Sequence, residues 1–113
     1  MRTLVVVPTY NEAESIRPII ARIRAALPDA SVLIVDDNSP DGTGRLADDI
    51  AAADHQVEVL HRPGKAGLGA AYLQGFARAI NDGYDAVVEI DADGSHDPAE
   101  LPAMVELLSS ENA

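Results

Sequence analysis

The sequence predicts an α/β fold built on a mainly parallel sheet. Short apolar runs rich in β-branched residues alternate with segments of helical periodicity, in the order β-α-β-α-β-α-β-α. Strands that are buried on both faces have this continuous apolar character. Because helices separate successive strands, the strands are expected to run parallel with right-handed crossovers.

The first half of the chain supplies two strands and one helix. Residues 4–7 are predicted as the first strand. Asn11 and Glu14 then stand at capping-box spacing, ahead of apolar residues that recur at helical intervals. This pattern predicts a helix over residues 12–26, which Pro28 ends. A second strand is predicted over residues 31–35.

The remaining elements follow the same alternation. In chain order, the predictions are a polar turn at 38–43, a helix at 43–53, a strand at 56–60, a glycine-rich basic loop at 61–69, a helix at 70–80, a strand at 85–90 and a loop at 91–96. A fourth helix is expected next, because Pro98 suits the first turn of a helix.

Composition narrows the function classes. The 113 residues fit one domain, expected to span residues 1–113, and carry a formal net charge of −11. Such a charge repels nucleic-acid backbones and anionic lipid surfaces, so no nucleic-acid partner is expected. The chain has no cysteine, and no apolar run approaches the roughly 18 residues of a membrane helix. An anionic substrate would need a cation to bridge it to this acidic chain.

Polar clusters follow each of the four predicted strands. They comprise residues 8–12, 36–39, 61–65 and 91–96. Ligands of open α/β sheets bind outside the carboxyl ends of the strands, where these clusters would meet. The sequence therefore predicts one polar crevice along this rim.

Asp91 and Asp93 are the strongest metal candidates in that crevice. Residues i and i+2 of an extended segment point the same way, so both carboxylates could share one hard cation such as Mg²⁺ or Mn²⁺. The metal would neutralise a leaving diphosphate as a Lewis acid. The alternative is a pair of solvated aspartates that cap the fourth helix.

The other clusters leave two interpretations each. Asp36 or Asp37 could accept hydrogen bonds from a base or ribose, or serve turn chemistry. Residues 37–48 also loosely match a calcium loop, although a strand precedes them and Asp48 replaces the preferred Glu. Arg62 and Lys65 lie in a loop that could touch phosphate or simply turn the chain.

The loop after the first strand offers two more candidates. Tyr10 could stack on a base and Glu12 could read base edges. The alternatives are a half-buried loop tyrosine and a carboxylate that the N-terminal dipole of the helix favours.

The chain resembles a known enzyme family. Residues 7–12, 35–43, 62–69 and 91–96 carry motifs in the order seen in family 2 glycosyltransferases, and they are most similar to the polyprenol (dolichol) phosphate mannose synthases. The resemblance covers essentially the whole chain. It implies a GT-A (Rossmann-like) three-layer fold and an inverting transfer of mannose from GDP-mannose to polyprenyl (dolichyl) phosphate.

The resemblance also implies roles for particular residues. The nucleotide sugar would be bound by Pro8, Tyr10, Glu12, Asp37, Lys65 and Asp91. Asp91 and Asp93 would be the catalytic pair that holds Mg²⁺ or Mn²⁺. Ser95 stands where many relatives carry a glutamine that also contacts the metal.

Family members continue for about as much chain again, so residues 1–113 are expected to be an incomplete, donor-binding domain. The missing part would supply the acceptor side and a peripheral membrane association, at the cytoplasmic face of the membrane. Three alternatives are a non-catalytic nucleotide-sugar-binding remnant, a relative that uses UDP-glucose, and a receiver-like phosphoryl module. The third needs an aspartate after the third strand, where His61 and Arg62 stand.

Overall fold

The computed structural model describes residues 2–63, 68–90, 92 and 106–107. In this part the chain alternates between strands and helices as predicted. The strands are β1 Thr3–Thr9, β2 Ser31–Asp36, β3 Val57–His61, β4 Ala86–Glu89 and β5 Glu106–Leu107. The helices are α1 Ile16–Ala26, α2 Thr43–Ala53 and α3 Leu68–Asn81.

The strands form one sheet in the order β3-β2-β1-β4-β5. Strands β1 to β4 pair in parallel, and β5 pairs antiparallel to β4. The mainly parallel α/β sheet is thereby confirmed. Because β2 and β3 extend to one side of β1 and β4 lies on its other side, the strand order reverses between β1 and β4. Crevices at such a switch point are the usual ligand sites of open α/β sheets.

Side chains alternate between the two faces of the sheet and build a core on each. Val5, Val7 and Ile34 pack with the apolar face of α1 and with α2. Val6 and Val35 face the other way, into the core that α3 covers. The helices therefore lie on both faces, which gives the three layers that the family resemblance implies.

Helix α3 approaches the sheet closely at Gly75. A Cβ built on Gly75 would lie 2.6 Å from both γ carbons of Val6, which is fully buried in β1. No side chain fits in that space without a shift of the helix or the strand. Gly75 thus sets the distance between α3 and the central strand.

Strand β1 runs two residues past its predicted end and includes Pro8. The Val6 carbonyl oxygen accepts the Ile90 N–H at 3.0 Å, so the backbone groups of Val6 point toward β4. Alternate residues of a parallel strand bond to the same neighbouring strand, so the backbone of Pro8 also points toward β4. The residue pairs between β1 and β4 end at Val6↔Glu89. Pro8 lies beyond the last of these pairs, so its missing N–H removes no hydrogen bond between β1 and β4. Proline within sheets is confined to positions where no ladder hydrogen bond is lost.

The predicted start of α1 is wrong. The helix begins at Ile16, its N-cap Ser15 makes no side-chain capping bond, and Asn11 has a left-handed φ of 57°. The capping box of Asn11 and Glu14 does not form; the Asn11 N–H, which Glu14 would have capped, donates to Ser39 Oγ instead. The other boundaries as far as β4 agree with prediction to within two residues, as is usual for helix and strand ends.

The predicted fourth helix is wrong at Glu106 and Leu107. These residues pair with Val87 and Ala86 respectively as a short antiparallel strand. Without this partner β4 would expose a row of unpaired backbone groups, and covering that edge favours a strand here. The remaining residues of the predicted helix lie outside the described part. None of the described helices is long and apolar enough to cross a membrane.

Candidate functional site

The ends of β1, β2 and β4 meet at one rim of the sheet. Thr9 at the end of β1 pairs with Asp36 at the end of β2, and Pro8 pairs with Val35. On the other side of β1, Ile90 donates its N–H to Val6 O, so the chain leaves β4 beside β1. The clusters that the sequence predicts to converge after β1 and β2 are therefore neighbours.

Four of the predicted site residues cannot be placed against this rim. Lys65, Asp91, Asp93 and Ser95 lie outside the described residues. Pro8 and Asp37 are buried, and Tyr10 and Glu12 are half-buried; these four lie in or directly after β1 and β2.

Asp36 and Asp37 have different roles in the fold. Asp36 is 1% exposed and lies on the α2 side, where a Cβ added to Gly44 would come within 3.0 Å of Asp36 Oδ2. Its Oδ1 accepts hydrogen bonds from Thr9 Oγ1 at 2.7 Å and from Ser39 Oγ at 2.6 Å, and its Oδ2 accepts the Ser39 N–H at 3.1 Å. Asp36 thus serves turn chemistry, one of the two interpretations that its sequence left open.

Asp37 is directed toward the opposite face. The ladder continues through this residue, because its N–H donates to Thr9 O at 3.1 Å, so side-chain alternation places it on the α3 side with Val35. Pro8 lies on the same side, since it follows Val6 by two residues. Two residues predicted to bind the nucleotide therefore share one face at the end of neighbouring strands.

Arg62 is the charge partner of Asp37. Its Nε lies 3.3 Å from Asp37 Oδ1, and the two side chains are only 11% and 7% exposed. The Arg62 N–H also donates to Asp36 O at 2.8 Å, which fixes the backbone of the arginine to β2. Buried charges require such pairing, because water no longer solvates them.

The sequence suggests that Arg62 contacts phosphate or lies in a simple turn, and neither interpretation includes this pair. The register of β2 and β3 explains the pair: Asp36 is opposite His61, so Asp37 and Arg62, which follow them, are opposite each other as well. Arg62 also has a buried Nη1 without a hydrogen-bond partner among the described residues. The guanidinium therefore retains a donor beyond the one that approaches Asp37.

Side chains from the loop after β2 bind the loop after β1. The N–H groups of Asn11, Glu12 and Ala13 donate to Ser39 Oγ, Thr43 Oγ1 and Asp41 Oδ2, at 3.0, 2.9 and 3.1 Å. These bonds hold the segment that carries Tyr10 and Glu12 against the end of β2.

The calcium-loop interpretation of residues 37–48 finds no support. Ser39 and Asp41, at two ligand offsets, accept backbone N–H groups instead. The hydrogen bond from the Thr43 hydroxyl holds the pKa of Asp41 below its ordinary value, despite some opposing desolvation. Across the described part of the chain, no three His, Asp or Glu side chains cluster closely enough to hold a metal ion.

A cavity of about 430 Å³ opens beside the N-terminus of α2. His61 and Asp48 contribute to its wall and pair at 2.8 Å between Nε2 and Oδ1. None of Pro8, Tyr10, Glu12 and Asp37 lines it. This cavity is therefore distinct from the predicted nucleotide site.

Comparison with known proteins identifies the family. Residues 4–113 match the model of glycosyl transferase family 2. The chain belongs to this family. The sequence resemblance is confirmed by similar proteins of known name, among them the undecaprenyl-phosphate mannosyltransferase of Micrococcus luteus, which is 55% identical over 106 residues. That alignment covers 94% of this chain and 44% of the relative.

A second relative has a similar name. The polyprenol monophosphomannose synthase of Mycolicibacterium smegmatis is 53% identical over 110 residues, which cover 96% of this chain and 42% of the relative. The chain thus spans less than half the length of these two relatives.

A solved structure confirms the GT-A fold. The mannosyltransferase PcManGT of Pyrobaculum calidifontis, in complex with GDP-Man and Mn²⁺, aligns with a TM-score of 0.72 and 28% identity. The match covers 81% of this chain and 27% of that protein. That structure contains both a nucleotide sugar and a divalent metal.

Proposed function

We propose that this chain is the donor-binding domain of a polyprenyl-phosphate mannosyltransferase that uses GDP-mannose. The observation that carries the proposal is the convergence of Pro8 and Asp37 on one face, at the rim where β1 meets β2. This rim adjoins the switch point of the sheet, where ligands of open α/β folds bind. The names of relatives more than half identical to the chain supply the substrate class.

In this proposal the nucleoside lies against the ends of β1 and β2. Pro8 offers an apolar surface, and Tyr10 stacks on the base or hydrogen-bonds to it. Glu12 and Asp37 accept hydrogen bonds from the base or ribose. The Arg62 guanidinium, whose Nε lies 3.3 Å from Asp37 Oδ1, holds the Asp37 carboxylate in place. Lys65 contacts the phosphates.

Asp91 and Asp93, with Ser95, would hold Mg²⁺ or Mn²⁺ on the diphosphate. Their donor set of carboxylate and hydroxyl oxygens suits these hard cations. The bound metal would supply positive charge to the leaving diphosphate. The chain's overall charge of −11 favours such a cation as a bridge to an anionic donor.

The acceptor is proposed to be polyprenyl phosphate, as the names of the relatives suggest. A phosphate monoester is already anionic at neutral pH, so it needs positioning more than deprotonation. The acceptor side would come from chain beyond these residues. That part would also bring the enzyme to the cytoplasmic face of a membrane.

Calorimetry with the full chain tests the donor site. GDP-mannose is titrated in the presence of Mn²⁺, with UDP-glucose and ATP as competing candidates. We expect GDP-mannose to bind best, and Asp93→Ala and Asp37→Asn to weaken binding at least tenfold. Asp29→Ala, which changes an exposed aspartate in the turn between α1 and β2, serves as the matched control and should bind as the wild type does.

Two results would contradict the site assignment. One is the absence of binding by any sugar nucleotide, and the other is unchanged affinity in Asp93→Ala. Preference for UDP-glucose would favour the relative that uses this donor. A separate assay follows labelled mannose into polyprenyl phosphate; binding without any product from this chain would favour a donor-binding protein that does not catalyse transfer alone.

A further inference from the structure

Three successive backbone N–H groups ahead of α1 are bound by side chains from another loop. Asn11, Glu12 and Ala13 donate to Ser39, Thr43 and Asp41, which follow them by 28 to 31 residues. Amides at the start of a helix are more commonly capped by a side chain two or three residues away. Here α1 begins only at Ile16, and the acceptors are two residues of the β2–α2 connection and Thr43, the first residue of α2.

The three acceptors are themselves held in place. Ser39 donates both its hydroxyl and its N–H to the Asp36 carboxylate, which is 1% exposed. Thr43 is fully buried and donates its N–H to Asp41 Oδ1 at 3.0 Å. Asp36 also accepts the hydroxyl of Thr9, the last residue of β1. The network therefore connects both loops to the ends of their strands.

The backbone at both ends of the network has an uncommon conformation. Asn11 and Asn38 have φ values of 57° and 56°, in the left-handed region that non-glycine residues seldom adopt. Asparagine tolerates this region better than most residues, but a loop without other restraints would also populate other conformations. The hydrogen bonds to Asn11 and its two successors select this one.

We propose that Ser39, Asp41 and Thr43 form a loop clamp that positions residues 10–13 for nucleotide binding. This inference rests on the proposed function, in which Tyr10 and Glu12 contact the nucleoside. The three clamp residues act through these two and need not touch the nucleotide. When only a fraction of molecules holds the competent loop, the apparent affinity falls by that fraction. The clamp raises the fraction before the ligand arrives, which is preorganisation.

The test compares Thr43→Val and Ser39→Ala with the wild type in the full chain. Valine keeps the shape of threonine but can neither accept the Glu12 N–H nor donate to Asp41. Of these two bonds, only the one to Glu12 joins Thr43 directly to residues 10–13. Loss of that one bond is worth roughly 0.5–1.5 kcal/mol, so we expect the Kd for GDP with Mn²⁺ to rise about 2- to 12-fold. Thr43→Ser keeps the hydroxyl and should restore affinity to within about twofold. Ser15→Ala is the matched control, because Ser15 makes no side-chain capping bond.

A double-mutant cycle separates positioning from a general loss of structure. In a chain that already carries Tyr10→Ala and Glu12→Ala, Thr43→Val should change the Kd by less than twofold, because the residues it positions are gone. Hydrogen exchange without nucleotide should show faster exchange at residues 11–13 in Thr43→Val.

The outcomes distinguish this inference from the proposed function. A wild-type chain that binds no nucleotide overturns the proposed function and this inference with it. If the wild type binds but the clamp variants bind equally well, the inference alone is overturned. It is also overturned if Thr43→Val raises the Kd by the same factor with and without Tyr10 and Glu12.

Discussion

The buried pair of Arg62 and Asp37 gives the sharpest stability prediction. Arg62→Met keeps the aliphatic part of the side chain and removes the cation that lies 3.3 Å from Asp37 Oδ1. Removing one partner of a buried pair typically costs about 3–5 kcal/mol, because the other charge stays buried. The distance here exceeds the roughly 2.7–2.9 Å of a strong charge-assisted hydrogen bond, so we expect the lower end, about 3 kcal/mol.

That cost corresponds to a large shift in the melting temperature. At about 2.1 cal/mol/K per residue, 113 residues give an unfolding entropy of about 0.24 kcal/mol/K. A loss of about 3 kcal/mol should therefore lower Tm by about 12 °C. The measurements are thermal unfolding by circular dichroism and chemical unfolding in urea, both near pH 7.

Two further variants test the cause. Asp37→Asn combined with Arg62→Met removes both charges and should recover most of the lost stability. Arg78→Met is the matched control: its partner Glu58 is 63% exposed, and exposed pairs contribute less than about 1 kcal/mol. A fall in Tm of less than about 4 °C for Arg62→Met, or no recovery in the double variant, would refute the reasoning.

Two other predictions concern packing and pH. Gly75→Ala should lower the free energy of unfolding, measured in urea, by roughly 1–3 kcal/mol, because the new Cβ overlaps Val6. The double variant Gly75→Ala with Val6→Ala should lose less unfolding free energy than the two single variants lose together. The hydrogen bond from Arg24 holds the pKa of Asp54 below its ordinary 3.8. The stabilisation by the Arg24–Asp54 pair is complete when the pH is above the ordinary pKa of 3.8, and it is lost as the pH falls through the lowered pKa of Asp54 in the folded protein. Unfolding free energy should therefore drop more steeply below pH 4 in the wild type than in Asp54→Asn; parallel curves would contradict this.

The main elements of the fold could be predicted because they depend on local patterns. Short β-branched apolar runs such as residues 4–7 and 31–35 indicate buried strands without reference to any distant residue, and both runs are strands in the sheet. The helical spacing from Ile16 to Ile23 likewise identifies the buried face of α1. The motifs around these elements were also sufficient to indicate the glycosyltransferase family, which the comparison confirms.

The predictions of secondary structure were wrong where contacts with residues distant in the sequence determine the local conformation. Asn11 and Glu14 have the spacing of a capping box, but Ser39, Thr43 and Asp41 bind the amides of residues 11–13 instead. Glu106 and Leu107 pair with the free edge of β4, which no local pattern around Pro98 could reveal. In each case a contact over many residues outweighs a weak local preference.

By itself, the sequence determined the alternation of strands and helices, the family and the order of its motifs, because these are properties of neighbouring residues. Only the tertiary structure decided between Asp36 and Asp37. Strand alternation directs one into the hydrogen bonds of Thr9 and Ser39 and the other toward Arg62. Two adjacent aspartates look alike in a sequence, and they differ here because each face of the sheet surrounds its carboxylate with different partners.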